Sequence, residues 1–257
     1  MSTHGDVHVE IERGIARVVL DRAPVNAFDR HFYDLVRSTF HKLSEDKAVR
    51  VVTLTGKGKH FCGGNDVNDF VDLDYEASVE YLAHVRLAFA SIYECAVPVL
   101  GAINGAAVGT GIALASCCDV RIASERAKFA LPEIDVGVLG GAKHVNRIAT
   151  HGMTRLMMYT ARRLDAAEAQ RVGIADLVVP HDELTATVDG IAEEIARKSP
   201  AAIRLAKYGL NRTETMGLKE GYEFECTLTA AVRRTPEARE GALAFLEKRE
   251  PSYAEDR

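Results

Sequence analysis

No sequence motif for metal ligation, redox cycling or phosphate cradling occurs in this 257-residue chain. Its five cysteines (Cys62, Cys95, Cys117, Cys118 and Cys226) are odd in number, include one adjacent pair and form no CxxC. They read as reduced, buried thiols of a cytosolic protein, and no metal site is expected. The chain has no excess of positive charge: its formal net charge is −5 with Lys and Arg scattered, which argues against a nucleic-acid or anionic-membrane partner. The opening segment is polar and carries Asp6, Glu10 and Glu12, so it does not read as a secretory signal. Residues 96–118 contain no charged side chain. They include Pro98, Asn104 and four glycines, and small residues replace the usual Leu and Phe, so a strand, a turn and a buried helix explain them better than a membrane span. There is no internal repeat, no low-complexity linker, no P-loop and no Gly-x-Ser-x-Gly elbow.

An α/β pattern is present through most of the chain. Residues 7–11 and 15–20 read as a hairpin turning at Arg13-Gly14, and 21–27 as a loop. Phe32, Leu35, Val36, Phe40 and Leu43 have helical spacing within 28–44. A strand at 51–55, a helix at 75–95, a strand at 97–103, a helix from 111 and short strands at 120–123 and 128–130 follow. Asp165 and Glu168 form a capping box for a helix ending at Gly173, and the strand 175–179 comes next. Thr235 before Pro236 is an N-cap and first-turn pair. Beyond Asp182 the pattern is helical and more charged. The expected organisation is an α/β core followed by an all-helical tail.

Two glycine-rich turns leave apolar strands: Gly56-Lys-Gly-Lys-His-Phe-Cys-Gly-Gly-Asn-Asp66 and Asn104-Gly-Ala-Ala-Val-Gly-Thr-Gly111. Without a Cβ, glycine lets backbone N–H groups approach a ligand. Two such turns can place two free amides on one oxygen, as an oxyanion hole requires. Dinucleotide binding fits less well, because Leu114 stands where Gly109-Thr110-Gly111 needs its third glycine.

Together with Leu20-Asp-Arg-Ala-Pro-Val-Asn-Ala27, Phe129-Ala-Leu-Pro-Glu-Ile-Asp-Val-Gly137 and Glu240-Gly-Ala-Leu-Ala-Phe-Leu-Glu-Lys-Arg249, these turns occur in an order covering nearly the whole chain. The set resembles the crotonase (enoyl-CoA hydratase/isomerase) family. The resemblance implies a spiral of ββα units over residues 1–195 holding an acyl-CoA site, and a C-terminal helical trimerisation region over 196–257. It also implies a homotrimer or hexamer and a coenzyme A thioester as substrate; no permanently bound cofactor and a cytoplasmic location are expected. It assigns the oxyanion-hole amides to Asn65 and Thr110, and the shared glutamate to Glu133. Arg22, Lys248 and Arg249 are candidates for the CoA phosphates, each equally readable as a surface charge. Ala23, Pro24 and Val25 match the pantetheine and adenine wall by position, and Gly63, Asp66, Val67, Gly109 and Gly141 match the substrate path.

Two departures shape the expected chemistry. The first hydratase glutamate falls at Ala113, leaving Glu133 as a single carboxylate. A single carboxylate suffices to move a proton from C2 to C4 of an enoyl thioester, as related isomerases do. The aspartate of dienoyl isomerases falls at Gly141, which disfavours that reaction. After Glu133, Gly140, Lys143 and His144 replace a Pro and two glycines of the family pattern. Lys143 and His144 therefore read either as groups for a substrate carboxylate or as solvated first-turn residues. Isomerisation is the leading expectation. Hydration, decarboxylation of a malonyl-type thioester and non-catalytic acyl-CoA binding are its alternatives. Asp66 is expected to brace its turn, Cys62 to be a small buried thiol, and His60 to be a loop residue.

Overall fold

A computed structural model describes residues 5–253; the outer ends of the two expected ranges, 1–4 and 254–257, lie outside the described residues. The chain opens with the antiparallel pair β1 (Asp6–Glu12) and β2 (Ile15–Asp21), registered with Val9 opposite Val18. Helix α1 (Arg30–Glu45) starts at Asp29, whose carboxylate accepts from the Phe32 amide at 2.7 Å, a side-chain N-cap. Three strand–strand–helix units follow: β3 (Val51–Gly56), β4 (His60–Cys62) and α2 (Tyr75–Tyr93), then β5 (Val99–Ile103), β6 (Ala106–Val108) and α3 (Thr110–Cys117), then β7 (Val120–Ser124), β8 (Lys128–Ala130) and the one-turn α4 (Ala142–Val145). The remaining elements are α5 (His151–Thr160), β9 (Arg163–Asp165), α6 (Ala166–Arg171), β10 (Leu177–Val179), α7 (Leu184–Ala196), α8 (Pro200–Thr213), α9 (Leu218–Val232) and α10 (Pro236–Glu247).

The first strand of each unit joins a six-stranded sheet ordered β1-β2-β3-β5-β7-β10, parallel from β2 onward. The second strand joins a small sheet ordered β4-β6-β8-β9. Parallel strands need cover on both faces. Accordingly β3 and β5 are almost wholly buried. Ile15, Val51, Leu100, Ala102 and Ile122 pack under Leu184, Val188 and Ala192 of α7. The alternating partners Ala16, Val18, Val52, Leu54 and Val99 face the main core with α1 and α3. The repeat expected from the family resemblance is thus present in the fold, although the sequence itself has no recognisable repeat.

The Asp165–Glu168 capping box and the Thr235 cap form as the sequence predicts, with Gly173 at φ +88° just past α6. Three expectations need correction. His60 is not in a loop: it opens β4, and its carbonyl accepts from the Asn26 carboxamide. Strands β5 and β10 start two residues later than expected, because Val97-Pro98 and Ala175-Asp176 approach the sheet as connections. Cys226 is exposed on α9, unlike the other four cysteines, which are buried. Residues 96–118 are a strand, a turn, a second strand and a buried helix, and among the described residues no helix is long and apolar enough to cross a membrane.

Candidate active site

The two glycine turns become neighbours because β4 and β6 pair in parallel, His60 beside Ala106 and Cys62 beside Ala107. Each turn leaves its strand at the same end of the small sheet. The first turn is fastened by the 22–28 loop: Gly63 N–H donates to Val25 O at 2.8 Å, Phe28 N–H to Gly64 O at 2.8 Å, and Asp66 N–H to Phe28 O at 2.7 Å. Asn26, buried with φ +55°, clamps the same loop. Its Nδ2 donates to Lys57 O at 3.1 Å and His60 O at 2.9 Å, while its Oδ1 accepts from Arg22 N–H at 3.0 Å. Asn26→Ala leaves these groups without their partners and is expected to lower the unfolding free energy by roughly 2–4 kcal/mol. Urea denaturation measures it, and a loss below about 1 kcal/mol would contradict the clamp.

Neither the Asn65 nor the Thr110 amide donates to a backbone carbonyl among the described residues. Thr110 opens α3, where first-turn N–H groups have no partner within the helix. Gly109 precedes it at φ +56°, a conformation suited to glycine. A Cβ at Gly109 would lie 3.8 Å from the Gly64 Cα and 3.3 Å from Glu133 Oε1. The two turns and the carboxylate therefore enclose one small volume.

Glu133 starts the short 3₁₀ turn Glu133–Val136 that follows β8. Its Oε2 is buried without a hydrogen-bond partner among the described residues. Burial pushes its pKa above the usual carboxylate value, with its own backbone amide opposing that shift. Gly140 presses on this carboxylate: a Cβ there would stand 1.9 Å from Oε1. The adjacent Gly141 closes on Ala113, since its Cβ would meet the Ala113 methyl at 2.4 Å. A carboxylate side chain at position 113 has no room while this segment keeps its path. The site holds one acid–base group and two backbone donors, enough to hold a carbonyl oxygen and move a proton on the adjacent carbon.

The other candidate residues occupy varied positions. The Arg22 guanidinium is largely buried, pairing with Asp66 at 2.9 Å and Asp29 at 3.0 Å and donating to Ala27 O at 2.8 Å. Here it braces the first turn. Asp66, whose pKa is held down chiefly by Arg22, also accepts from the Asn68 amide at 3.2 Å. Ala23 and Val67 are exposed, and Val25 lies against Gly63. Cys62 is buried and its thiol is pushed up to about 12 by desolvation. Lys143 is exposed. His144 is half-buried, its Nδ1 3.5 Å from Cys117 Sγ and its ring edge-on to Phe89. Burial, and then Arg147 and Lys143, lower its pKa and favour neutral imidazole, a poor partner for a carboxylate. Lys248 is the exposed cap of α10 at φ +53°, while Arg249 pairs with Glu240 and Glu247.

Tyr33 joins these residues without a motif to mark it. It is fully buried, and its hydroxyl reaches Asn65 Oδ1 and Thr110 Oγ1. The signal was available: Tyr33, Val36, Phe40 and Leu43 form an unbroken helical stripe. Two surface cavities of about 550 and 490 Å³ open elsewhere, beside the turn of the β1–β2 hairpin and between the end of α2 and α8.

Comparisons with known proteins converge on one family. Residues 10–256 match the family model described as enoyl-CoA hydratase/isomerase. A probable enoyl-CoA hydratase of Mycobacterium tuberculosis is 32% identical over 255 residues, covering 98% of each chain. A protein of Rhodococcus jostii named (7aS)-7a-methyl-1,5-dioxo-2,3,5,6,7,7a-hexahydro-1H-indene-carboxyl-CoA hydrolase is 37% identical over 214 residues, covering 82% of this chain and 83% of that protein. The crystal structure of enoyl-CoA hydratase from Bacillus anthracis superposes with a TM-score of 0.93 at 30% identity, over 98% of this chain and 100% of that one.

Proposed function

Because the chain belongs to the enoyl-CoA hydratase/isomerase family and has the crotonase fold of an acyl-CoA-processing enzyme, we propose that it holds an enoyl-CoA thioester oxygen between the Asn65 and Thr110 amides while Glu133 moves a proton. One observation carries this reading: a single desolvated carboxylate lies beside two unbonded turn amides, with Ala113 sealed under Gly141. The thioester carbonyl acidifies the neighbouring carbon, and the two donors stabilise the enolate that forms. Glu133 takes a proton from C2 of a 3-enoyl-CoA and returns it at C4, giving the 2-enoyl isomer. Its Oε2, buried without a hydrogen-bond partner among the described residues, supports the proton-accepting role.

Hydration is the second reading, favoured by the hydratase names of the relatives. In that case Glu133 alone takes a proton from a water whose oxygen bonds to C3, and delivers that proton to C2. The neutral setting of His144 and the exposure of Lys143 give decarboxylation less support. Turnover of 2-enoyl-, 3-enoyl- and malonyl-type CoA separates these readings. Conversion of 3-enoyl-CoA fastest supports isomerisation, and water addition to 2-enoyl-CoA alone favours hydration. Carbon dioxide release surviving in Glu133→Gln overturns both. The homotrimer or hexamer implied by the family would cover Leu210, Leu218, Tyr222, Phe245 and Leu246, which α8, α9 and α10 leave exposed.

A further inference from the structure

Three polar side chains meet beside the two turn amides. Tyr33 reaches them from α1, Thr110 from the start of α3, and Asn65 from the first turn. Tyr33 Oη and Thr110 Oγ1 are 2.7 Å apart, Thr110 Oγ1 is 2.6 Å from Asn65 Oδ1, and the Tyr33 hydroxyl donates to the same Oδ1. A separation of 2.6 Å suits a hydroxyl donating to a carbonyl oxygen; amide N–H donors sit nearer ~2.9 Å. The carboxamide oxygen is therefore assigned toward the hydroxyls, whose two hydrogens are shared among the three contacts, and this network sets the orientation of the amide. Burial, and then Tyr81, push the Tyr33 pKa well up, so the phenol remains a donor.

This arrangement turns the Asn65 NH₂ away from the buried hydroxyls, and Asn65 itself is half-buried. It has no hydrogen-bond partner among the described residues, and its nitrogen is not among the buried atoms that lack one. One residue thus offers two donors, its backbone amide and its carboxamide. Two oxygens in a 1,3 relation, as in a 3-oxoacyl thioester, can be presented side by side to such a pair. Removing the C2 proton of that thioester spreads negative charge over both oxygens, so the second donor adds stabilisation as the charge develops.

We propose that Tyr33 and Thr110 hold the Asn65 carboxamide as a side-chain donor for an oxygen on the β-carbon of the acyl group, so that the site prefers 3-oxoacyl-CoA to the corresponding saturated acyl-CoA. The proposal rests on the thioester reading above. Tyr33 is a positioning residue, and Asn65 makes the contact.

Calorimetric titration with acetoacetyl-CoA and butyryl-CoA at neutral pH tests this in the full chain, in Tyr33→Phe and in Asn65→Ala. The quantity read is the affinity ratio within each protein, because a general packing defect weakens both ligands together and leaves the ratio unchanged. The wild type is expected to favour acetoacetyl-CoA by about tenfold, and both variants to bring the ratio within about twofold. A wild-type ratio near one, or a full ratio retained in either variant, overturns the carboxamide role and leaves the thioester reading intact. If Tyr33→Phe does not fold, the Asn65→Ala ratio decides. Preference for 3-hydroxybutyryl-CoA over acetoacetyl-CoA overturns the proposal by placing the carboxamide oxygen outward. Failure of the wild type to bind any of the three removes the thioester reading itself.

Discussion

Glu133→Gln is expected to lower kcat by about 10²–10⁴-fold on any CoA thioester the wild type converts, while saturable thioester binding persists. Glutamine keeps the shape that fits under Gly140 but cannot accept the C2 proton. Binding persists because the two amide donors come from the backbone of other residues. The variant should be no less stable than the wild type at neutral pH, since it removes a carboxylate whose ionised form is penalised by burial. The same burial sets the pH profile. The base form must be ionised to act, and its pKa is raised, so kcat/KM should fall with decreasing pH while still above the usual carboxylate range. That acid limb should vanish from whatever residual rate Glu133→Gln retains. Measuring kcat/KM against pH for both proteins checks the limb. Wild-type activity in the variant would remove Glu133 from the reaction.

Thr110 offers a way to delete one of the two proposed oxyanion donors. Its N–H is a first-turn amide of α3, the helix position where proline is best tolerated. Thr110→Pro removes the N–H and the hydroxyl together, whereas Thr110→Ala removes the hydroxyl alone. Losing one oxyanion donor costs about 2.7–4 kcal/mol of barrier, or roughly 10²–10³ in kcat. Thr110→Pro should therefore lose at least that factor, and Thr110→Ala markedly less. Circular dichroism establishes that both remain folded, and steady-state kinetics give the ratio. Equal losses in the two variants would mean that the hydroxyl, not the backbone amide, is the group that matters at this position.

Elements with many periodic residues were legible in the sequence. The stripe along α1 and the apolar runs of β3 and β5 gave type and place to within two residues. Strands β4 and β6 were hidden inside the glycine turns, because three residues carry no usable period and are strands only through their pairing with each other. Helix α5 went unrecognised for a related reason: Thr154, Met157 and Met158 are its only wholly buried positions, too few for a clear face. For the site, family resemblance nominated positions 65, 110 and 133, and local composition could not. The closure of Gly140 and Gly141 over Glu133 and Ala113 was out of reach, since it depends on the path of an irregular segment and on a contact with α3, 28 residues away. Arg22 shows the same limit. A basic residue beside the expected CoA wall reads as a phosphate contact until Asp29 and Asp66 are found on its guanidinium.

The central claim is that Glu133 exchanges a proton at the carbon next to a thioester carbonyl held by two backbone amides. The most direct measurement is proton NMR of C2–H exchange in butyryl-CoA incubated with the enzyme in deuterium oxide, since it requires neither isomerisation nor hydration to proceed. Deuterium should enter C2 faster with the wild type than in buffer, and at the buffer rate with Glu133→Gln. Exchange that continues undiminished in Glu133→Gln, or no enzyme-dependent exchange despite saturable binding, would contradict it.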